Sequence, residues 1–120
     1  MSRILIIDDD PQLGRSLARV LEHAGHTCCL AADPTDAAEA AGGFSPDAVL
    51  IELQPGYARG LPQLREALGA IPFVFMAGHQ AEFARLGDLV GASDDWLAKP
   101  AAPQELVVRL RTALRRAHAN

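Results

Sequence analysis

Residues 4–11 read Ile4-Leu5-Ile6-Ile7-Asp8-Asp9-Asp10-Pro11, and the fold class follows from this segment and from the way its pattern recurs. Four consecutive apolar residues without polar alternation are typical of a strand that is buried on both faces of a parallel sheet. Asp10 followed by Pro11 indicates a helix start, with the aspartate as N-cap and the proline at the first helical position. The segment therefore predicts a buried strand that leads through an acidic turn into a helix.

The same succession of strand and helix continues to the end of the chain. Further strands are predicted at 28–31, 48–51, 73–76 and 96–98. The first helix has an apolar face and ends at Gly25, the second begins at Asp33-Pro34, and the last begins near Pro103. Five strands that alternate strictly with five helices predict one α/β domain over residues 1–120, with a parallel sheet between two helical layers.

Composition excludes several classes of protein. The chain has 120 residues, of which 49% are apolar and 22% are charged, which is enough for a buried core. Its net charge of −4 argues against nucleic acid or anionic membrane as a partner of this domain. The amino terminus lacks a signal-peptide core, and no apolar stretch is long enough to span a bilayer. We therefore expect a cytoplasmic protein.

Charged residues follow the predicted strands, at the edge where ligands bind in open parallel sheets. Asp8 and Asp9 follow the first strand, Glu52 the third, and Lys99, the only lysine beside ten arginines, the fifth. Carboxylates about 4 Å apart repel by about 4 kcal/mol at an effective dielectric of about 20, and one lysine cannot neutralise three of them. The cluster must therefore bind a divalent cation, raise the pKa of a carboxyl group, or hold its groups apart. Oxygen ligands without His or Cys favour Mg²⁺ as the cation.

With these residues in place, the chain resembles the receiver domain of bacterial response regulators along its whole length. Residues 4–11 look like the opening strand and acidic pair of that family, and residues 46–51, followed by Gly56 and Gly60, look like its third strand and loop. The most specific segment is the last, Gly91-Ala92-Ser93-Asp94-Asp95-Trp96-Leu97-Ala98-Lys99-Pro100, with the Lys-Pro signature. The resemblance implies a flavodoxin-like, receiver-type sheet in the order 2-1-3-4-5, and a non-enzymatic signalling module of a two-component phosphorelay.

The resemblance also implies roles for individual residues. Asp8 and Asp9 would be the acids of a Mg²⁺ site, to which Glu52 adds a carboxylate and Gln54 its backbone carbonyl. Lys99 would contact the phosphoryl group. Trp96 occupies the position of the aromatic switch residue.

Two residues depart from the family pattern. Receivers accept phosphate on an aspartate where this chain has Glu52, and they carry Thr or Ser at the switch position where it has Ala77. The longer side chain moves the carboxylate by ~1.5 Å, and a misplacement of about 1 Å can slow a positioned reaction about a hundredfold. Ala77 lacks a hydrogen bond to a charged group worth roughly 1.5–3 kcal/mol.

These departures predict a pseudo-receiver that acts through protein–protein contacts and binds Mg²⁺ weakly. The implied partners are a sensor histidine kinase or other signalling proteins, and an effector domain or a second copy of the chain. We expect no stable phosphorylation of Glu52.

Two other functions are compatible with an α/β sheet. A phosphoryl-transfer enzyme of the haloacid-dehalogenase type would use Asp8-x-Asp10, Lys99 and an acidic pair, but Asp94-Asp95 precedes the lysine instead of following it. A flavodoxin-like ligand-binding domain would need a Gly/Ser/Thr phosphate loop after the first strand, where an acidic run stands. The glycines 42 and 43 indicate a helix end rather than such a loop.

Overall fold

A five-stranded parallel sheet lies at the centre of the molecule in the computed structural model, which describes residues 2–91 and 93–119; Ala92 of the Lys-Pro segment lies outside them. The strand order is β2-β1-β3-β4-β5, as predicted, and each strand agrees with its predicted position to within one residue at either end. The strands are β1 Arg3–Ile7, β2 Thr27–Ala31, β3 Ala48–Glu52, β4 Phe73–Ala77 and β5 Asp95–Ala98.

Five α-helices and two 3-10 turns connect the strands within the described residues. The helices are α1 Pro11–His23, α2 Pro34–Phe44, α3 Leu61–Leu68, α4 Gln80–Ala84 and α5 Pro103–Ala119, and the turns are Tyr57–Arg59 and Gly87–Leu89. The Asp10 side chain caps α1 by accepting from the backbone N–H of Gln12 at 3.0 Å, which confirms the predicted start. None of these helices has the length and apolar character needed to cross a bilayer.

Apolar side chains pack on both faces of the sheet, in two separate clusters. Ile4, Ile6 and Leu50 face α1 and α5, whereas the alternate residues Leu5 and Ile51 face α2 and α3. The adjacent cysteines of β2 follow the same alternation, because Cys28 packs on the first cluster and Cys29 on the second. They pack as small apolar residues on opposite faces, and no disulfide joins them.

The end of α2 differs from the prediction. The helix does not stop at Gly42 and Gly43 but continues to Phe44, and Ser45 forms the C-cap with a left-handed φ of 54°. Arg3 accounts for the difference. Its Nε donates to the Phe44 carbonyl at 2.6 Å, and its guanidinium lies 4.3 Å from the centre of the Phe44 ring. A cation that bonds a terminal carbonyl stabilises the last turn of a helix.

A buried carboxylate fixes the segment that leads into β5. Asp94, with 1% of its side chain exposed, pairs with Arg65 of α3. It also accepts from the backbone N–H of Phe73 at 2.8 Å and of Gly91 at 2.6 Å. The Arg65 guanidinium in turn lies 3.9 Å from the centre of the Phe73 ring. Asp94 therefore joins α3, the start of β4 and the entry to β5.

Candidate cation and signalling site

The predicted site residues lie at one edge of the sheet because the strands that carry them are parallel. Asp8 directly follows β1, Glu52 ends β3, Ala77 ends β4 and Lys99 directly follows β5. Parallel strands have their carboxyl ends at the same edge. The structure thus brings together groups that are up to 91 residues apart in sequence, from Asp8 to Lys99.

Glu52 and Lys99 form an ion pair across this edge. The ammonium Nζ of Lys99 donates to Oε1 of Glu52. Their strands are not neighbours, since β4 lies between them, and strands two places apart are separated by about 10 Å. The two long side chains meet above the end of β4, where Ala77 contributes only a methyl group. The pair is largely sheltered, with Glu52 8% exposed and the Lys99 side chain 30% exposed.

Asp8 is a buried acid beside the other two carboxylates of the cluster. It is 5% exposed, and its Oδ1 accepts from the backbone N–H of Asp10 at 2.9 Å. Its Oδ2 is buried, and within residues 2–91 and 93–119 no donor reaches it. Burial, followed by the neighbouring Glu52 and Asp9 carboxylates, raises the pKa of Asp8 to about 7. A proton on Asp8 would be shared with Glu52, since a protonated carboxyl group is the donor that this pair otherwise lacks.

The three acids fit a hard divalent cation. One carboxylate oxygen from each of Asp8, Asp9 and Glu52 lies within 4.8 Å of the others. The unpartnered Oδ2 of Asp8 is a buried acceptor that a cation would satisfy. All the donors are oxygens, which suits Mg²⁺ or Ca²⁺ rather than zinc. The backbone carbonyl of Gln54 accepts from the N–H of Tyr57 at 3.1 Å, so one of its two lone pairs is available to a cation.

A cleft of about 520 Å³ opens beside this cluster, between the loop after β3 and the short helix α4. Lys99 lies in its wall, together with Glu82 and Arg85 of the α4 region and Gln54 of the loop. A Cβ placed on Gly78 would lie 3.3 Å from Oε1 of Glu82, so the Glu82 carboxylate reaches back over the end of β4. Sequence reasoning missed Glu82 and Arg85. A helix of five residues is too short for its periodicity to show which side chains face the sheet edge.

Two aromatic residues flank the site. Trp96 of β5 is partly buried and packs against the cluster on the α2 and α3 side of the sheet. Tyr57, which sequence reasoning did not single out, donates its hydroxyl to the Ala32 carbonyl at 2.8 Å. Burial raises the pKa of Tyr57 to about 12, and the carboxylates of Asp9 and Asp8 add to the shift. The Tyr57 hydroxyl therefore stays protonated and ties the loop after β3 to the end of β2.

The acidic pair Asp94-Asp95 lies away from this edge. Asp95 stands beside Val74, and Asp94 accepts from Phe73, so both belong to the amino-terminal side of β4 and β5. Asp8 and Lys99 lie at the opposite side. The arrangement that a haloacid-dehalogenase-type enzyme would require, with these acids beside the lysine, is therefore not formed.

Comparison with known proteins agrees with the fold. Residues 4–111 match the family model of the response regulator receiver domain. The response regulator MprA of Mycobacterium ulcerans (strain Agy99) is 35% identical over 117 residues, which are 95% of this chain and 50% of the relative. The chain thus spans about half the length of the curated relatives it matches.

Solved structures give the same result. A two-component response regulator from Clostridium difficile superimposes with a TM-score of 0.82 at 26% identity, covering 97% of this chain and 98% of that one. The chemotaxis protein CheY4 of Vibrio cholerae shares the fold, with a TM-score of 0.82 at 24% identity over 94% of this chain and 98% of its own. The chain belongs to the response regulator receiver domain family, whose members are signalling modules of two-component phosphorelays.

Proposed function

We propose that this domain is a receiver that signals through protein–protein contacts without phosphorylation of Glu52, the residue at the acceptor position. The observation that carries the proposal is the ion pair between Glu52 and Lys99. An acceptor needs a free oxygen in line with the incoming phosphoryl group, because phosphoryl transfer depends mainly on positioning. Oε1 of Glu52 is engaged by the amine that would otherwise hold the phosphoryl group.

The ion pair takes the place of the phosphoryl contact in this proposal. A phosphorylated receiver would present an anion to Lys99, and here the Glu52 carboxylate is already in contact with it. Ala77 has no hydroxyl that could form a hydrogen bond to a phosphoryl group at the acceptor position. Trp96, at the aromatic switch position, packs against the core on one face of the sheet. The domain would thus favour the arrangement of this edge in which Glu52 contacts Lys99, because that contact stabilises it relative to the arrangement without the pair.

A Mg²⁺ ion bound by Asp8, Asp9 and Glu52, with the Gln54 carbonyl, belongs to the same proposal. The geometry of the three carboxylates supports it. Weak affinity is expected because Lys99 already neutralises Glu52 and because Asp8 must lose its proton to bind a cation.

The partners that follow are a sensor histidine kinase or another signalling protein, and an effector domain or a second copy of this chain. The relatives are called response regulators and are about twice as long as the region that matches. A cytoplasmic location stays a prediction from the sequence.

Intact mass measurement after incubation with acetyl phosphate and MgCl₂ tests the proposal. We expect no phosphoryl adduct on the native chain, and we expect Glu52→Asp to gain one if the rest of the pocket is competent. Glu52→Gln serves as the control that removes the carboxylate. An adduct on the native chain that disappears in Glu52→Gln would contradict the proposal.

A further inference from the structure

We propose that Glu82 of α4 is a second acidic partner for Lys99, which takes up the ammonium group whenever Glu52 leaves it, and that this exchange moves α4. The proposal rests on the proposed cation site for its physiological trigger, because a cation bound by Glu52 would weaken the ion pair that holds Lys99. The positions of Glu52, Lys99 and Glu82, on which the exchange depends, do not require a bound cation.

Glu82 is placed beside Lys99 by the end of β4. The backbone N–H of Lys99 donates to the Ala77 carbonyl at 2.9 Å, so Lys99 begins next to the last residue of that strand. The Glu82 carboxylate lies over the following residue, Gly78, close to the position that a Cβ would take. Glu82 and Lys99 line the same cleft, with no strand between them.

The Glu82 carboxylate is free to receive the ammonium group. Among the described residues, no hydrogen bond or ion pair engages the Glu82 carboxylate, and Glu52 is the side-chain partner of Lys99. A lysine has a compact charge on a flexible stem of four carbons, which can swing between two acceptors. The residues at the end of β4 are small, since Ala77 has one methyl group and Gly78 has no side chain. Glu82 is the acidic residue in the wall of the cleft that Lys99 also lines, so an ammonium group released there, with Asp8, Asp9 and Glu52 engaged by a cation, is attracted to it.

The exchange would shift α4, because this helix is short and Glu82 is its middle residue. A helix of five residues has few internal hydrogen bonds, and such segments open or shift at low cost. Ala77, at the end of β4, has no hydroxyl that could link the site to this helix. Glu82 would give this chain a connection between the site and the helix beside it.

The single lysine makes the exchange directly observable. In a protein labelled with ¹⁵N-lysine, the ammonium group of Lys99 gives one ¹H–¹⁵N signal, whose hydrogens exchange slowly only while an acceptor shelters them. Glu52→Met keeps the length of the side chain and removes its acceptor, and Glu52→Ala is the second background should the first not fold. We expect the lysine signal to persist at a new position in Glu52→Met and to be lost in the double variant Glu52→Met, Glu82→Gln.

The matched control is Glu52→Met, Glu66→Gln, since Glu66 is an exposed glutamate on α3. It should give the spectrum of Glu52→Met. If the two double variants have the same lysine signal, Glu82 is not the partner and the proposal is overturned. Addition of MgCl₂ to the native chain should move the signal toward that of Glu52→Met. A Glu82 effect in the variants without any response to MgCl₂ would contradict the cation trigger and leave the pairing standing.

Discussion

The Glu52 stem is one methylene longer than that of an aspartate, and its carboxylate reaches a lysine whose strand is two places away. An aspartate would leave the carboxylate ~1.5 Å short of its present position. The strand between Glu52 and Lys99, β4, ends at Ala77, whose side chain is a single methyl group. Of the two residues that depart from the receiver pattern, Glu52 thus forms a contact of its own, the ion pair with Lys99.

Asp8 gives this cluster a stability that depends on pH. Its pKa is about 7 in the folded protein against 3.8 for the free side chain. The folded state therefore keeps a proton that the unfolded chain has lost, and stability falls as pH rises from about 4 to about 7. In Asp8→Asn the penalty is absent. We expect the substitution to raise the free energy of unfolding by about 1–3 kcal/mol above pH 7 and to be nearly neutral near pH 4.

Urea unfolding with EDTA at the two pH values measures this effect. Asp9→Asn is the control, since Asp9 is exposed and its removal should change stability much less. An equal gain from Asp8→Asn at both pH values would show that burial of the charge is not the cause.

At this scale the sequence identified the residues but not how their charges are balanced. The ends of the strands predicted Asp8, Asp9, Glu52 and Lys99 at one edge, since hydrophobic runs locate buried strands well. Three outcomes for the excess charge were left open, and one of them, a raised carboxyl pKa, occurs at Asp8. The Glu52–Lys99 ion pair neutralises a further part of the charge. The choice depends on distances across β4, which no local pattern contains.

The elements show the same division between local and tertiary causes. The strands were predicted to within one residue because runs of apolar residues are bounded by turns and caps. The predicted end of α2 was wrong, because the last turn of this helix is stabilised by Arg3, which lies 41 residues before Phe44. The short helix α4 could not be delimited because its five residues contain barely more than one turn.

Alanine substitution in α2 tests the correction. A Cβ on Gly42 would meet nothing within 4 Å, and this residue is helical and exposed. We expect Gly42→Ala to raise the free energy of unfolding by about 0.5–1 kcal/mol, because alanine loses less backbone entropy in a helix. Gly69→Ala is the contrasting variant. Gly69 caps α3 with a φ of 74°, so the same change should destabilise the protein. Destabilisation by Gly42→Ala would mean that α2 ends earlier, as the sequence suggested.

The contacts of Asp94 predict a large effect from one buried carboxylate. Asp94→Ala would leave the Arg65 guanidinium and the backbone N–H groups of Phe73 and Gly91 without their acceptor. We expect a loss of about 3 kcal/mol in the free energy of unfolding, as for other ion pairs broken on one side. Arg109→Gln, which removes the exposed pair with Asp95 at 3.3 Å, should cost less than about 1 kcal/mol. Equal losses in urea unfolding would contradict this ranking.

At the scale of the whole molecule, a cation at the sheet edge should stabilise the complete fold. Its ligands lie just after β1 and at the end of β3, and these strands pair only in the folded chain. A Mg²⁺ concentration one hundred times the Kd would raise the free energy of unfolding by about 2.7 kcal/mol. Thermal unfolding measures this gain in stability, and Trp96 emission measures binding. Both are recorded in MgCl₂ and compared with NaCl of matched ionic strength. Asp9→Asn should abolish the gain, and a gain that survives it would place the cation elsewhere.

The two neighbouring thiols of β2 give each helical layer its own chemical reporter. Cys28 packs on the side of α1 and α5, and Cys29 on the side of α2 and α3, and both are partly buried, so the alkylation rate of each rises when a different side of the molecule opens. Burial raises the pKa of Cys28 to about 11, which slows its reaction in the closed state. The ratio of the two modified peptides under mild denaturant would therefore record which layer opens first, without any engineered label.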